Sequence, residues 1–423
     1  MGWVEHPQRQ QVVNEMHLRR WPTLSVPTML IQILRMVDQD EWEAQANAID
    51  ALPDAKLDPS DNPRQTSGVL PGGVPFVLER FSEASAITVI LPMVVGEHLA
   101  FPEEVCRWAR DLPGRVIRAT KIFIFKSVSD AEMYLPELKM KTSDVISCYV
   151  GTEAKVRLWS DFRIGEDGWG HLLIAAERMD PGDLTRLVQR LQELGNYRNL
   201  ALLGLPVARL YWNDLDRAEL ELAELAAEVA SPDSIDDVLL EKVTGVSLGL
   251  IQAVAATRFR MAATQAYARI AIERLHEIGT LPVSGYPSLL DFTERRLRPA
   301  VRTCDAYAQR LSELALSADR FAALLRTRIE TRIENQNALL LKSMRNISIA
   351  QLRMQHFVEG LSVIAISYYV VSLFSHFVKA YELYFGEHLV EMSESIAVPI
   401  SLVGFGLFIA NKRKKLGKSR YET

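Results

Sequence analysis

The sequence predicts an α+β membrane protein: an N-terminal α/β cytoplasmic domain, a long helical stalk and two C-terminal transmembrane helices. Three observations carry this reading. Segments with β-type alternation crowd residues 76–176. Proline and glycine are absent from Ala300 until Gly360. Two apolar runs then follow, and the second abuts Lys412, Arg413, Lys414, Lys415, Lys418 and Arg420.

Composition narrows the function classes. The chain has 423 residues, 48% hydrophobic and 24% charged, with a net charge of −5. Its mean hydropathy is +0.02. Wholesale disorder and collagen-like repeats are excluded. A slightly acidic chain lacks the basic surface that phosphate contacts need, so nucleic acid is not an expected partner. Cys106, Cys148 and Cys304 lie far apart. They form no C-x-x-C pair or disulfide framework and fit a reducing compartment.

The elements follow in chain order. Met1 to Gln10 is polar and lacks the basic and apolar regions of a secretory signal. His6 stands where a myristoylation site needs Ser or Thr. Glu5 to Leu18 reads as a short helix. Leu52 to Gly73, polar and proline-containing, reads as a linker. FVLERF and ITVIL around Ser82 to Ala84 read as a hairpin. Val116–Phe125, Val145–Val150, Ala154–Trp159 and His171–Ala176 add strands, and helical patterns lie near Glu103–Asp111 and Ala131–Lys139. Together they predict a mixed or antiparallel sheet with helices over residues 75–180.

After Pro181 the period becomes helical. Asp183–Leu203 is interrupted by Pro206. Ala208–Val229 carries an acidic face with Asp214, Asp216, Glu219, Glu221, Glu224 and Glu228. Ser231-Pro232-Asp233 reads as a turn, and Ile235–Ile278 is helical until Gly279 and Pro282. Leu289–Arg298 begins the last helix, and Pro299 is expected to kink or restart it. Ala300–Val378 then reads as one helix of roughly 120 Å, which must pack on other helices or on copies of itself.

Phe357–Val378 is long enough to cross a bilayer, whereas Ile396–Ala410 is marginal alone. Lys342, Arg345 and Arg353 precede the first run and the basic cluster follows the second. Both ends are therefore expected to be cytoplasmic, with the short acidic connector outside. The expected domains are 1–180 (cytoplasmic α/β), 181–356 (bundle and stalk), 357–411 (two-span hairpin) and 412–423 (basic tail).

Candidate functional residues lie on the first run. Leu341, Ser348, Gln355, Ser362, Tyr369 and His376 fall on one line at heptad spacing, with Glu359 beside it. In a parallel ring of helices this line would face a narrow pore. The alternative is that these groups hydrogen-bond to the second span. Glu382, Glu387, Glu391 and Glu394 would form an acidic outer mouth that concentrates cations, or are ordinary loop charge. The acidic face at 214–228 is a solvated surface or a divalent-ion site between subunits. His6, Glu15 and His17 do not converge as metal ligands. The sequence assigns no metal site and implies no cofactor. No nucleophile elbow, Walker motif, H-E-x-x-H or dinucleotide fingerprint occurs, so an enzyme is not expected.

This layout resembles the CorA-type magnesium transporters, which join a cytoplasmic α/β domain through a stalk helix to two spans with a basic tail. That resemblance implies a homo-oligomer, a pentamer, that conducts a cation such as magnesium. The family's Gly-Met-Asn triplet is absent; Ser375-His376-Phe377 stands at the end of the first run. At residue level, His6–Arg20, Tyr197–Arg209 and Val358–Val371 resemble a bacterial family described as predicted membrane-anchored proteins of unknown function. The expectation is a homo-oligomeric ion channel or transporter of the bacterial inner membrane, in contact with the lipid bilayer. Its rival is a membrane-anchored structural or signalling protein without transport.

Overall fold

A computed structural model describes residues 4–15, 21–51, 56–58, 64–95, 103–140, 143–151, 155–231 and 234–380, with 396, 399–401, 403–404, 406–408 and 411 beyond them. The chain divides into two compact units, Met1–Ala323 and Leu324–Thr423. That boundary falls inside the stretch assigned above to bundle and stalk.

The first unit is built on a sheet of ten strands. Its centre is β1 (Thr28–Met36), antiparallel to β5 (Ala84–Pro92) on one side and to β6 (Arg115–Phe125) on the other. From β5 the sheet continues antiparallel through β4 (Val74–Arg80) and β3 (Gln65–Leu70) to the two-residue edge strand β2 (Lys56–Leu57). From β6 it continues through β9 (Gly170–Ala176), β8 (Val156–Ser160) and β7 (Ile146–Val150) to the edge strand β10 (Thr280–Pro282). Among the described residues only β6 and β9 pair in parallel. The mixed α+β class read from the sequence is thus what the chain adopts.

Both sheet faces are covered. Leu30 and Leu34 of β1, with Ile122 and Ile124 of β6, pack against α5 (Pro181–Leu202), the end of α7 (Asp236–Ile278) and the start of α8 (Leu289–Ala380). Met29, Ile31 and Ile33 point the other way, towards α2 (Glu41–Asp50), α3 (Glu103–Asp111) and α4 (Val128–Tyr134). A strand covered on both faces needs apolar side chains at odd and even positions alike, which is why TMLIQILRM is nearly continuous.

Local chemistry fixes the helix starts. Asp180 accepts from Gly182 N at 2.8 Å, and Pro181 occupies the first turn of α5. Ser127 caps α4 through Asp130 N at 3.1 Å. Ser288 accepts from Asp291 N at 3.0 Å at the start of α8. Gly279, at φ +61°, ends α7 in a conformation that an L side chain resists.

Below the sheet layers, α6 (Gly204–Val229), α7 and α8 share a core through Leu215, Leu250, Met261, Tyr307 and Leu311. Helix α7 is tied to the sheet by Arg260, whose two Nη atoms donate to Glu83 at 2.8 and 2.7 Å. Gly204 lies where α6 meets α7: a Cβ there would stand 2.2 Å from Thr264 Oγ1.

Several expectations need correction. The Leu52–Gly73 stretch is not simply a linker, because β2 and β3 lie in it. The sheet starts at Thr28, well before residue 75. Helix α4 is shorter and earlier than Ala131–Lys139, because Ser127 caps it at Val128. Pro299 does not restart the last helix, which runs through it; burial of Leu297, Ala300 and Cys304 around the proline offsets the lost hydrogen bond. The turn at Pro232-Asp233, His17, the connector glutamates and the basic tail lie outside the described residues.

Two outcomes follow from this packing. Gly204→Ala should lower stability by about 1–3 kcal/mol, measured by urea unfolding, and Thr264→Ala in the same chain should recover part of the loss. Cys106, Cys148 and Cys304 are buried, and burial pushes the Cys148 and Cys304 thiols up to about 11. All three should resist a thiol reagent in the native protein at neutral pH and react on denaturation.

Candidate functional site

Alternation along β6 puts Arg118 and Thr120 on the same face as Ile122 and Ile124, towards α5. Residues Leu191, Leu194, Gly195 and Arg198 recur at helical spacing and turn the same stripe of α5 back onto the strand. Between them lies a cavity of about 370 Å³, also lined by β9, by Phe162 and by Leu289 at the start of α8.

Arg118 is held by three amide oxygens. Its Nη1 donates to Gln32 Oε1 at 2.7 Å and to Asn196 Oδ1 at 3.0 Å, and its Nη2 donates to Gln192 Oε1 at 2.8 Å. A Cβ at residue 195 would stand 2.8 Å from the guanidinium carbon, so a larger residue there would push the guanidinium from this position. Burial, reinforced by the charge of Arg198, lowers the Arg118 pKa to about 9.

Arg198 is only 9% exposed. Its guanidinium lies 4.4 Å from the Phe162 ring centroid and 5.9 Å from that of Phe292. Among the described residues no carboxylate pairs with either Arg118 or Arg198. Burial lowers the Arg198 pKa to about 10. Both groups remain cationic at neutral pH.

Arg163 and His171, also in the lining, each have a carboxylate partner. Arg163 meets Asp144 at 3.0 Å. His171 Nε2 lies 3.3 Å from Asp167, which also binds Lys121 at 2.7 Å. Burial opposes ionisation of Asp167, yet Lys121, the Trp169 backbone N–H and His171 hold its carboxyl below its ordinary range. The lining contains no Asp or Glu. The arrangement can therefore accept negative charge and an apolar body together.

The residues singled out in sequence lie elsewhere. Leu341, Ser348, Gln355, Glu359, Ser362, Tyr369 and His376 all sit on α8 in the second unit, exposed except for the half-buried Glu359. Ser348 and Ser362 donate back to the carbonyls of Met344 at 3.0 Å and Val358 at 2.8 Å. His376 Nδ1 is 2.6 Å from Ser372 O. On a straight helix positions seven apart drift by about 20° per step, so the line winds by roughly 100° along its length. Glu382, Glu387, Glu391 and Glu394 fall outside the described residues.

The acidic face of α6 is partly neutralised: Arg310 reaches Asp216 at 2.6 Å and also Glu219, and Lys242 reaches Glu228 at 2.9 Å. No group of three or more His, Cys, Asp or Glu that could hold a metal ion occurs among the described residues.

Sequence reading missed Arg118, Gln32, Gln192, Asn196 and Arg198. A usable signal was present: Arg118 occupies an inward position of an alternating strand, and Arg198 lies four residues from Leu194 and Leu202 and seven from Leu191, on their apolar stripe of the helix.

Gln32→Leu should destabilise the fold by about 1–3 kcal/mol, because it strips an acceptor from Arg118 and a donor from Thr88. Urea unfolding measures this, and Arg118→Met in the same background should recover part of the loss.

The chain belongs to a family described as "Protein of unknown function (DUF3422)", whose model matches residues 4–416. No curated protein matches the chain.

Proposed function

We propose that this DUF3422 member is a membrane-anchored signalling protein whose sheet unit binds a small molecule. The observation that carries it is the cavity between β6 and α5, lined by the buried guanidinium of Arg198 and the half-buried one of Arg118, neither with a carboxylate partner among the described residues. Its volume lies in the range of ligand pockets, and its mixture of apolar walls with a few placed polar groups is typical of them.

Helix α8 supports the anchor. By length and composition, α7 and α8 are both able to cross a membrane. Helix α7 is built into the sheet unit through Leu250, Met261, Ala271 and Leu275. The apolar window of α8 is only 6% buried within the chain. Leu361, Tyr369, Leu373 and Phe377 are each at least 60% exposed. A soluble monomer does not sustain so large an apolar surface; lipid or other copies of the helix would cover it. The stretch Pro399–Phe408 is a shorter apolar helix that would pair with it.

A second reading is ion conduction by a homo-oligomer of CorA-like layout, with Ser362, Tyr369 and His376 towards the axis. The exposure of that polar line favours it. The back-bonding of Ser348, Ser362 and His376 favours the anchor instead, because it satisfies these groups without water.

Full-length protein should remain in the membrane fraction after alkaline carbonate washing, whereas residues 1–323 should be soluble and folded. Release of the full-length chain by carbonate would refute the anchor. Cation flux into liposomes carrying wild-type protein, abolished by Ser362→Lys, would favour the channel.

A further inference from the structure

Arg198 is buried, and among the described residues no carboxylate answers its charge. No hydrogen bond or ion pair from its five N–H donors is found among the described residues, and its guanidinium lies over the Phe162 and Phe292 rings. Cation–π contact returns only part of what desolvating a guanidinium costs. Arg118 sits close enough for the two charges to repel. Its three bonds to Gln32, Gln192 and Asn196 leave two further N–H donors. Two like charges held together in a cavity without acidic lining are stabilised when an anion enters.

The rest of the lining says what kind of anion. Ile117, Leu158, Leu172, Leu191 and Leu289 are apolar, and a bare inorganic ion would leave them against water. A cavity of about 370 Å³ is also far larger than one such ion. A planar carboxylate matches the guanidinium fork.

We propose that the cavity binds a small organic carboxylate, its charged end on Arg198 beside Arg118 and its apolar body against Ile117, Leu158 and Leu172. This rests on the reading above that the sheet unit binds a small molecule, and it adds the ligand's chemical class.

The test uses full-length protein in lipid nanodiscs at pH 7, with thermal unfolding followed by tryptophan fluorescence. The probes are phenylacetate, its neutral isostere phenylacetamide, and inorganic phosphate, each at millimolar concentration and equal ionic strength. Phenylacetate should raise Tm by several degrees, as a ligand specific to the native state does, with phenylacetamide at least about tenfold weaker. Arg198→Met should abolish the gain. Its ligand-free Tm should equal or exceed that of wild type, because an unpaired buried charge is gone.

Equal stabilisation by phenylacetate and phenylacetamide would overturn the anion assignment while leaving a small-molecule cavity standing. Equal stabilisation by phosphate would overturn the organic body. No stabilisation by any probe would overturn both this inference and the small-molecule reading. A lower ligand-free Tm for Arg198→Met with phenylacetate binding retained would make Arg198 a packing residue and refute the assignment.

Discussion

The hydrogen bonds that hold Arg118 join three elements of the sheet unit, two strands and a helix, at one point. Gln32 comes from the central strand, Gln192 and Asn196 from the helix laid across it, and the arginine itself from the neighbouring strand. Hydrogen bonds to a charged group contribute about 1.5–3 kcal/mol each, which offsets much of the desolvation of the guanidinium. Gly195 leaves room for the Arg118 guanidinium against α5, since a Cβ there would stand 2.8 Å from its carbon. Arg35 gives a useful contrast on the opposite face. It is fully buried, and its Nη2 donates to Ala109 O at 2.7 Å, near the negative end of α3. Burial lowers its pKa to about 10. Arg118 has three amide acceptors, and Arg35 has backbone acceptors for its Nη2, although its buried Nε and Nη1 have none among the described residues. Arg198 has rings instead, and it lines a cavity where Arg35 does not.

How much of this could be read from sequence depended on the kind of signal. Alternation and turn residues placed β4 to β9 closely, and the absence of Pro and Gly revealed α8. Strand β1 was overlooked because a strand covered on both faces loses its alternation, and TMLIQILRM then resembles any short apolar run. Strand β3 was hidden by its own composition: QTSGVL, with Gly68 pressed against β2, reads as loop. Pro299 misled because local propensity was outweighed by packing. The cavity residues were missed for another reason. Polar groups in an apolar run draw attention as functional by default, whereas Arg118, Gln32 and Asn196 come together only through tertiary pairing between segments about 80 residues apart.

Helix α8 shows the same residue chemistry put to different uses. In the first unit its apolar positions, Leu297, Tyr307, Leu311 and Ala318, form a stripe covered by α6 and α7. In the second unit large apolar side chains appear on every side of it, and its serines turn back on their own carbonyls. A stripe has a partner on one side; the apolar window of α8 has almost none within the chain, being only 6% buried.

The edge strand β10 ties synthesis order to aggregation risk. It pairs with β7, although about 130 residues separate them along the chain. Until α5, α6 and α7 have been made and α7 has folded back, β7 presents an unpaired row of backbone groups, the kind of template on which chains stack. Three residues, one of them Pro282, then close it. Because β10 precedes the apolar segment, a nascent chain can seal this edge before that segment emerges from the ribosome. The greasiest part of the molecule is thus translated onto an already finished sheet, so the two hazards of sheet edge and bare apolar helix need not coincide during biogenesis.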